Sequence, residues 1–461
     1  MPLPLFKFQE EGAAFLAGRA RAGLFDEMGV GKSAQGVRAC DLIQGKRGIV
    51  ICPAAVREVW RGEFAKFATI KRDVIKGINI HDFMRWKRGR ADVLITSFDQ
   101  ATNWAEQIDG MGEFLDFVII DEGHYLKNDE TKRTKAILGD LTEPGLRSVS
   151  GIVKWAIKAW ILTGTPMAND PMDIYTFLRF VDCMPLKKGV FKHRYFSTFK
   201  RTFNERNEPR PDIVDELKQL IGNNSLRRTQ KEVGLQIPAI FLTNVLLDGD
   251  NSAIKELLDQ YPGLSRAIVD ALRSGGLSFL DAQHIATLRR LVGEAKAIPY
   301  AALLYEELMN STGKTVTMGI HKKALADVQG YLARRGVHSV MVNGDTPERL
   351  RGPMVQAFQE DPNIRVFLGN IRSAGTGLTL TAAPNIDMLE SDWTPAGNAQ
   401  AIKRVHRIGQ VHKVRARFIT LANSIDETVN IIVAEKTAAI ASIEGEAMNS
   451  HAPVDTALQA V

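Results

Sequence analysis

Short, uninterrupted apolar runs at 48–52, 92–96, 117–120 and 159–162 are each followed by a polar or Gly/Pro turn. A strand apolar on both faces is buried on both, which marks a parallel sheet covered by helices. Amphipathic stretches such as 33–43 supply the covering layer, so the first part predicts an α/β layered domain. The rhythm returns after about 300 with strands at 315–319, 339–342, 365–368 and 415–421. A helix at 323–335 places Leu325, Val328, Tyr331 and Leu332 on one face, and Thr346-Pro347-Glu348 predicts a second helix with Thr as its cap. Between Cys183 and residue 299 the pattern is mostly helical, interrupted by Pro209, Pro211, Pro238 and Pro262, with a polar loop expected at 204–212. The expected division is 1–182, a linking region 183–299, 300–445, and a frayed small-residue tail at 446–461.

Composition narrows the class without naming a chemistry. The chain has 461 residues, 45% hydrophobic and 24% charged, which excludes a disordered, collagen-like or disulfide-stapled protein and leaves room for two or three domains. No apolar run approaches the roughly 18–20 residues that span a bilayer, and no signal peptide is visible at the start, so a soluble protein of the cytoplasm is expected. Lys plus Arg number 59 against 53 Asp plus Glu, a net +6 that suits a polyanionic partner without demanding one. Cys40, Cys52 and Cys183 lack metal-ligand or redox spacing and read as structural thiols.

The chemistry begins at Phe25-Asp26-Glu27-Met28-Gly29-Val30-Gly31-Lys32-Ser33. Gly29 and Gly31 let the backbone curl so that its N–H groups face an anion, Lys32 reaches terminal phosphates, and the Ser33 hydroxyl faces Mg²⁺ at a helix start. The strict phosphate-loop pattern fails at its first position, where Asp26 stands in place of Gly. A second element strengthens the reading: the apolar run 115–120 ends in Asp121-Glu122-Gly123-His124. Asp121 is assigned to the metal and Glu122 to an attacking water.

At this point the chain resembles the Swi/Snf-type ATPases of helicase superfamily two. Asp26 to Ser33 is similar to that branch's DEMGLGKT signature, and Phe8-Gln9-Glu10-Glu11-Gly12 to the segment whose Gln reads adenine, here Gln9. Ile51-Cys52-Pro53 with Trp60, and Ile95-Thr96-Ser97-Phe98, resemble two DNA-facing motifs of the first lobe. Leu162-Thr163-Gly164-Thr165-Pro166-Met167-Ala168-Asn169 is similar to the motif that couples nucleotide state to DNA. Leu226-Arg227-Arg228-Thr229-Gln230-Lys231-Glu232-Val233 resembles the link between lobes. Gly375 to Ala383 resembles motif five, and Gln400 to Gln410 the QAxxRxHRIGQ signature. Glu390 with Trp393-Thr394-Pro395-Ala396 leans toward annealing-helicase members. Departures are Gly123 where Ala is usual, Gln230 where Lys is usual, and Asn370-Ile371-Arg372 before motif five.

The resemblance implies two tandem RecA-like parallel-sheet lobes with helical insertions, ATP and Mg²⁺ as cofactors, and a DNA translocase. It implies that Gln400 joins the nucleotide-binding set and that Arg404 and Arg407, one helical turn apart, act as arginine fingers from the second lobe. Duplex or branched DNA is expected to be held through its phosphates by Thr96, Ser97, Thr376 and Thr379, with Arg227 and Arg228 nearby, and so without base readout. His124 and His406 are expected in coupling hydrogen bonds. Strand separation on DNA or RNA, and a binding module without hydrolysis, stand as alternatives. The absence of a visible chromatin-reading domain favours a bacterial or viral source, with a nuclear site if the source is eukaryotic.

Overall fold

The computed structural model describes residues 2–141, 151–167, 170–201, 204–235, 238–274, 279–371, 378–393 and 395–433. The chain divides into two compact units, one of 1–198 with 207–236 and the other of 199–206 with 237–461. The expected tail at 446–461 lies outside the described residues.

Among the described residues, the main sheet of unit one has seven strands: β1 (Arg21–Leu24), β2 (Gly48–Cys52), β3 (Val74–Gly77), β4 (Val93–Ser97), β5 (Leu115–Asp121), β6 (Ala156–Leu162) and β9 (Ser225–Leu226). They lie in the order β3-β4-β2-β5-β6-β1-β9, and every pairing is parallel. β2 and β4 are buried at every position, as the uninterrupted apolar runs require. The core packs Val37, Cys40, Val50, Ile95, Phe117, Ile119, Trp160 and Leu162 together with Trp60 and Phe64 from the helix Arg57–Phe67. Register aligns the functional ends: Leu24 of β1 and Asp121 of β5 both pair with Leu162 of β6. With neighbouring strands about 4.8 Å apart, three carboxyl ends finish in one row. That row is where parallel α/β sheets bind ligands.

Unit two has β10 (Ile240–Leu247), β11 (Thr315–Gly319), β12 (His338–Val342), β13 (Ile364–Asn370), β14 (Asn385–Met388) and β15 (Val414–Leu421) in the order β10-β15-β14-β11-β13-β12, again all parallel. Its apolar core encloses a polar network. Buried Arg417 donates to both Asp387 oxygens at 2.7 Å, and Tyr300 Oη donates to Asp387 Oδ2 at 2.8 Å beside Thr317. Removing Arg417 would leave the Asp387 charge buried without an ion-pair partner, and Tyr300 and Glu307 tie this network to the helix Phe279–Met309.

The linking region departs from expectation. Residues 204–209 form β8 (Asn204–Pro209), paired with β7 (Phe196–Arg201), where a loop was expected. β10 was missed within a region read as helical, because an edge strand exposed over most of its length shows neither alternation nor a buried run. It is specified by pairing with β15 over eight positions. The boundary at 299/300 falls inside the helix Phe279–Met309, which continues through Pro299. Pro347, rather than Thr346, stands at the N-cap position of the helix Glu348–Glu360, with no side-chain capping bond, and Thr346 Oγ1 accepts from the Asn343 N–H at 3.0 Å instead. Among the described residues no helix is long and apolar enough to cross a membrane.

Candidate active site

β1 leads into the loop 25–31 and then into the helix Lys32–Leu42. Gly29 and Gly31 have φ of 88° and 87°, the left-handed region where a side chain is strained. At Gly31 a Cβ would also lie 2.4 Å from Gln9 Nε2. Gln9 is buried against the loop: its Nε2 donates to the Val30 carbonyl at 3.1 Å and its Oε1 accepts from the Phe6 N–H at 3.1 Å. Lys32 Nζ donates to the Asp26 and Glu27 carbonyls at 2.7 and 3.2 Å. Burial lowers the Lys32 pKa, against the opposing pull of Glu122, Asp26 and Asp121. Ser33 follows in the first turn of the helix.

Asp121 ends β5 with both oxygens engaged, Oδ2 accepting from Trp60 Nε1 at 2.7 Å and Oδ1 from the Glu122 N–H at 3.0 Å. Its carboxyl is pushed up to about 6, by burial first and by the Glu122 charge second, while the Trp60 bond and Lys32 pull it down. Glu122 has φ 54°, unusual for a residue with a side chain. Its carboxylate lies 3.3 Å from His124 Nδ1, which is also 3.3 Å from Thr163 Oγ1. Thr163 Oγ1 in turn accepts from the Thr165 N–H at 3.1 Å, so His124 joins the ends of β5 and β6. A Cβ on Gly164 would lie 2.6 Å from Met28 and 3.4 Å from Lys32 Nζ, so only glycine lets this segment close on the loop.

These residues fit a nucleotide with a divalent cation. Two carboxylates share a buried site with a single lysine, and extra positive charge would offset the repulsion that raises Asp121. Thr165 Oγ1, next to Gly164, is buried without a hydrogen-bond partner. Among the described residues no group of three His, Cys, Asp or Glu could hold a metal alone. Such a donor set suits Mg²⁺ held by a carboxylate, a hydroxyl and phosphate oxygens.

Trp60, expected on a DNA-facing motif, is instead 1% exposed and orients Asp121. Thr96 is buried with its hydroxyl 3.5 Å from the Gly77 carbonyl, and Ser97 caps the helix Phe98–Asp109 by accepting from the Gln100 N–H. Arg227 Nη1 donates to the Phe25 carbonyl at 3.1 Å. Arg228 is paired with Asp26 and with Gln35, so its guanidinium serves the loop rather than a DNA surface. Trp60 and Gln35 had no local signal for their contacts, whose partners lie 61 and 193 residues away, and Gly12 is needed because a Cβ there would lie 1.8 Å from Gln35 Oε1.

In unit two, Gln400 is buried at the end of the helix Pro395–Ile402. Arg404 and Arg407 are half-buried in the turns that follow it rather than on a continuing helix. The Arg404 carbonyl accepts from the Leu380 N–H, and Gln410 Nε2 donates to the carbonyls of Thr381, Ala383 and Val405, which clamps this turn to the end of motif five. His406 Nε2 meets the Pro238 carbonyl at 2.9 Å. Thr379 is half-buried, and Thr376 lies outside the described residues.

Residues 8–248 match the SNF2-related domain and residues 300–409 the helicase conserved C-terminal domain. The chain is similar to the SWI/SNF-related matrix-associated actin-dependent regulator of chromatin subfamily A-like protein 1 of Drosophila melanogaster, 27% identical over 432 residues, covering 92% of this chain and 54% of that protein. It is similar to the DNA annealing helicase and endonuclease ZRANB3 of Bos taurus, 27% identical over 434 residues, covering 92% of this chain and 39% of that protein. The chain thus spans about half or less of the length of these relatives. A solved structure, the Sulfolobus solfataricus SWI2/SNF2 ATPase core in complex with dsDNA, aligns at 20% identity over 96% of this chain and 93% of that one, with a TM-score of 0.45. None of these relatives supports the bacterial or viral source expected above.

Proposed function

Because the chain belongs to the SNF2-related family and folds as two RecA-like lobes, we propose that it hydrolyses ATP to ADP and phosphate to move along duplex DNA. The observation that carries this reading is the shared row in unit one, where the glycine loop, Thr163 and Asp121 rise side by side from β1, β6 and β5. Lys32 and the loop amides hold the phosphates. Ser33 and Asp121 hold Mg²⁺, which when bound neutralises charge on the phosphate oxygens. Glu122, kept in place by His124, orients the water that attacks. Gln9 would contact the base by exchanging one of its two backbone bonds, and Gln400 belongs to the same nucleotide set.

Unit one offers Lys32 as the cation among these acids, too little for the charge that builds during phosphoryl transfer. Arg404 and Arg407 of unit two supply the rest, a contribution of about 10³–10⁵ in rate for such groups. Hydrolysis then depends on the two units being brought together, and DNA held by both favours that state. Contacts fall to phosphates through Thr376, Thr379 and Arg227, so affinity falls steeply with salt and shows little sequence preference. The protein acts wherever its DNA is held. A relative named as a DNA annealing helicase makes branched DNA the substrate to compare first.

ATP turnover measured against duplex, single-stranded, forked and four-way DNA and against RNA tests the proposal. Stimulation by duplex or four-way DNA, abolished by Lys32→Ala, is expected. Equal turnover without nucleic acid, or stimulation by RNA alone, would reject it.

A further inference from the structure

The loop's one departure from the phosphate-binding pattern has a partner far along the chain. Asp26, fully buried, accepts from Arg228 at both oxygens, Oδ1 from Nε at 3.1 Å and Oδ2 from Nη2 at 2.6 Å. Gln35 completes the cluster: its Nε2 donates to Asp26 Oδ2 at 3.1 Å and its Oε1 accepts from Arg228 Nη2 at 2.9 Å. Arg228 Nη1 also donates to the Phe8 carbonyl at 2.5 Å, one residue before Gln9. The cluster sits so close to Gly12 that a Cβ there would lie 1.8 Å from Gln35 Oε1 and 2.7 Å from Arg228 Nη2.

Neighbouring residues extend the attachment along the loop. The Phe25 N–H donates to the Leu226 carbonyl at 2.7 Å and the Glu27 N–H to the Arg228 carbonyl at 2.9 Å. The Gln230 N–H donates to Glu27 Oε2 and Gln230 Nε2 to the Met28 carbonyl, each at 2.8 Å. Loop residues 25, 26, 27 and 28 are therefore each bonded to the segment 226–230. Seven residues beyond Gln230 the chain enters the main part of unit two.

We propose that Arg228 and Gln230 are positioning residues of the phosphate-binding loop, and that 225–230 is a strap through which nucleotide binding is felt by the chain entering unit two. This rests on the nucleotide reading above. A bidentate guanidinium on a buried carboxylate fixes direction as well as charge, which a lysine cannot reproduce. It holds the first turn of the loop where glycine would otherwise allow it to wander. Gln230, standing where the family has Lys, suits this task because its amide reaches the Met28 carbonyl without adding a further positive charge near Lys32, which already feels Arg227.

The test uses the full chain, a fluorescent ADP with Mg²⁺, and amide hydrogen exchange. In the wild type, ADP slows exchange at 225–230 together with 25–33. Arg228→Lys weakens ADP binding about 10- to 100-fold, the scale expected when a supporting contact lets a site shift by about an ångström. Arg72→Lys, which disturbs an equally buried ion pair to Asp41 elsewhere in the same unit, leaves ADP affinity unchanged. Should the Arg228 variant fail to fold, Gln230→Ala, which removes the bond to Met28, provides the same reading with a smaller loss. ADP affinity within about twofold of wild type in both variants, or exchange at 225–230 that ignores ADP while 25–33 responds, overturns the strap alone. A wild type that binds no ADP overturns the nucleotide reading and the strap with it.

Discussion

Gly123→Ala has an unusually well-defined sign. Gly123 does not have positive φ, so alanine is compatible with its backbone and would ordinarily stabilise by about 0.4–1 kcal/mol through the unfolded chain. The obstacle is steric. A Cβ at this position would lie 2.2 Å from Ile161 Cγ2, against an ordinary carbon contact of about 3.5–4.0 Å, so more than an ångström must be gained. Ile161 is 5% exposed and held in β6 between Gly23 of β1 and Ile120 of β5, so it cannot withdraw freely. Overpacking of this kind costs about 1–3 kcal/mol, which exceeds the entropic gain and leaves Gly123→Ala destabilised by about 1–2 kcal/mol. The strain falls on 122–124, so turnover should drop alongside stability. Urea unfolding of the single variants and the pair decides the matter. Ile161→Ala alone costs about 2–4 kcal/mol through its cavity, but the double variant should cost at least about 1 kcal/mol less than the sum. Gly123→Ala as stable as wild type, or coupling below about 0.5 kcal/mol, would refute the steric argument.

Three further outcomes follow from particular contacts. Trp60→Phe removes the donor to Asp121 Oδ2 while keeping an aromatic in the core, and the Mg²⁺ concentration for half-maximal turnover should rise about 10-fold, read by Mg²⁺ titration. Arg417→Ala leaves Asp387 buried without its bidentate partner and should cost about 3–5 kcal/mol in urea unfolding, with the loss confined to unit two. Burial pushes the Glu390 carboxyl up, but the His321 side chain and the amides of His321 and Ile320 outweigh it and hold the pKa below the usual value. A depressed carboxyl contributes stability above its unfolded pKa and loses it as pH falls through the folded value. Glu390→Gln should therefore be less stable than wild type at pH 7, with the gap closing below about pH 4, as pH-dependent thermal melts would show.

The fold was legible where burial is continuous. β2 and β11 were bounded correctly from their apolar runs, and β4, β5, β6, β12, β13 and β15 were placed within a few residues. β10 was hidden because its order comes from pairing with β15 rather than from its own pattern. The loop Gly29 to Ser33 and the pair Asp121-Glu122 could be read because backbone curling and charge placement are local requirements. The support around them was not local. Trp60 reaches Asp121 across 61 residues and Arg228 reaches Asp26 across 202, distances over which periodicity carries no information. For Thr96 and Ser97 the motif suggested DNA-facing hydroxyls, whereas locally the Thr96 hydroxyl lies buried beside the Gly77 carbonyl and Ser97 caps a helix. Gly123 looked like a departure from a pattern, and Ile161 supplies its reason.

If hydrolysis in unit one needs a cation from unit two, Arg407→Ala separates nucleotide binding from turnover. The variant should keep ATP affinity close to wild type while DNA-stimulated turnover falls about 10³-fold or more. Turnover within about tenfold of wild type, with binding intact, would contradict it.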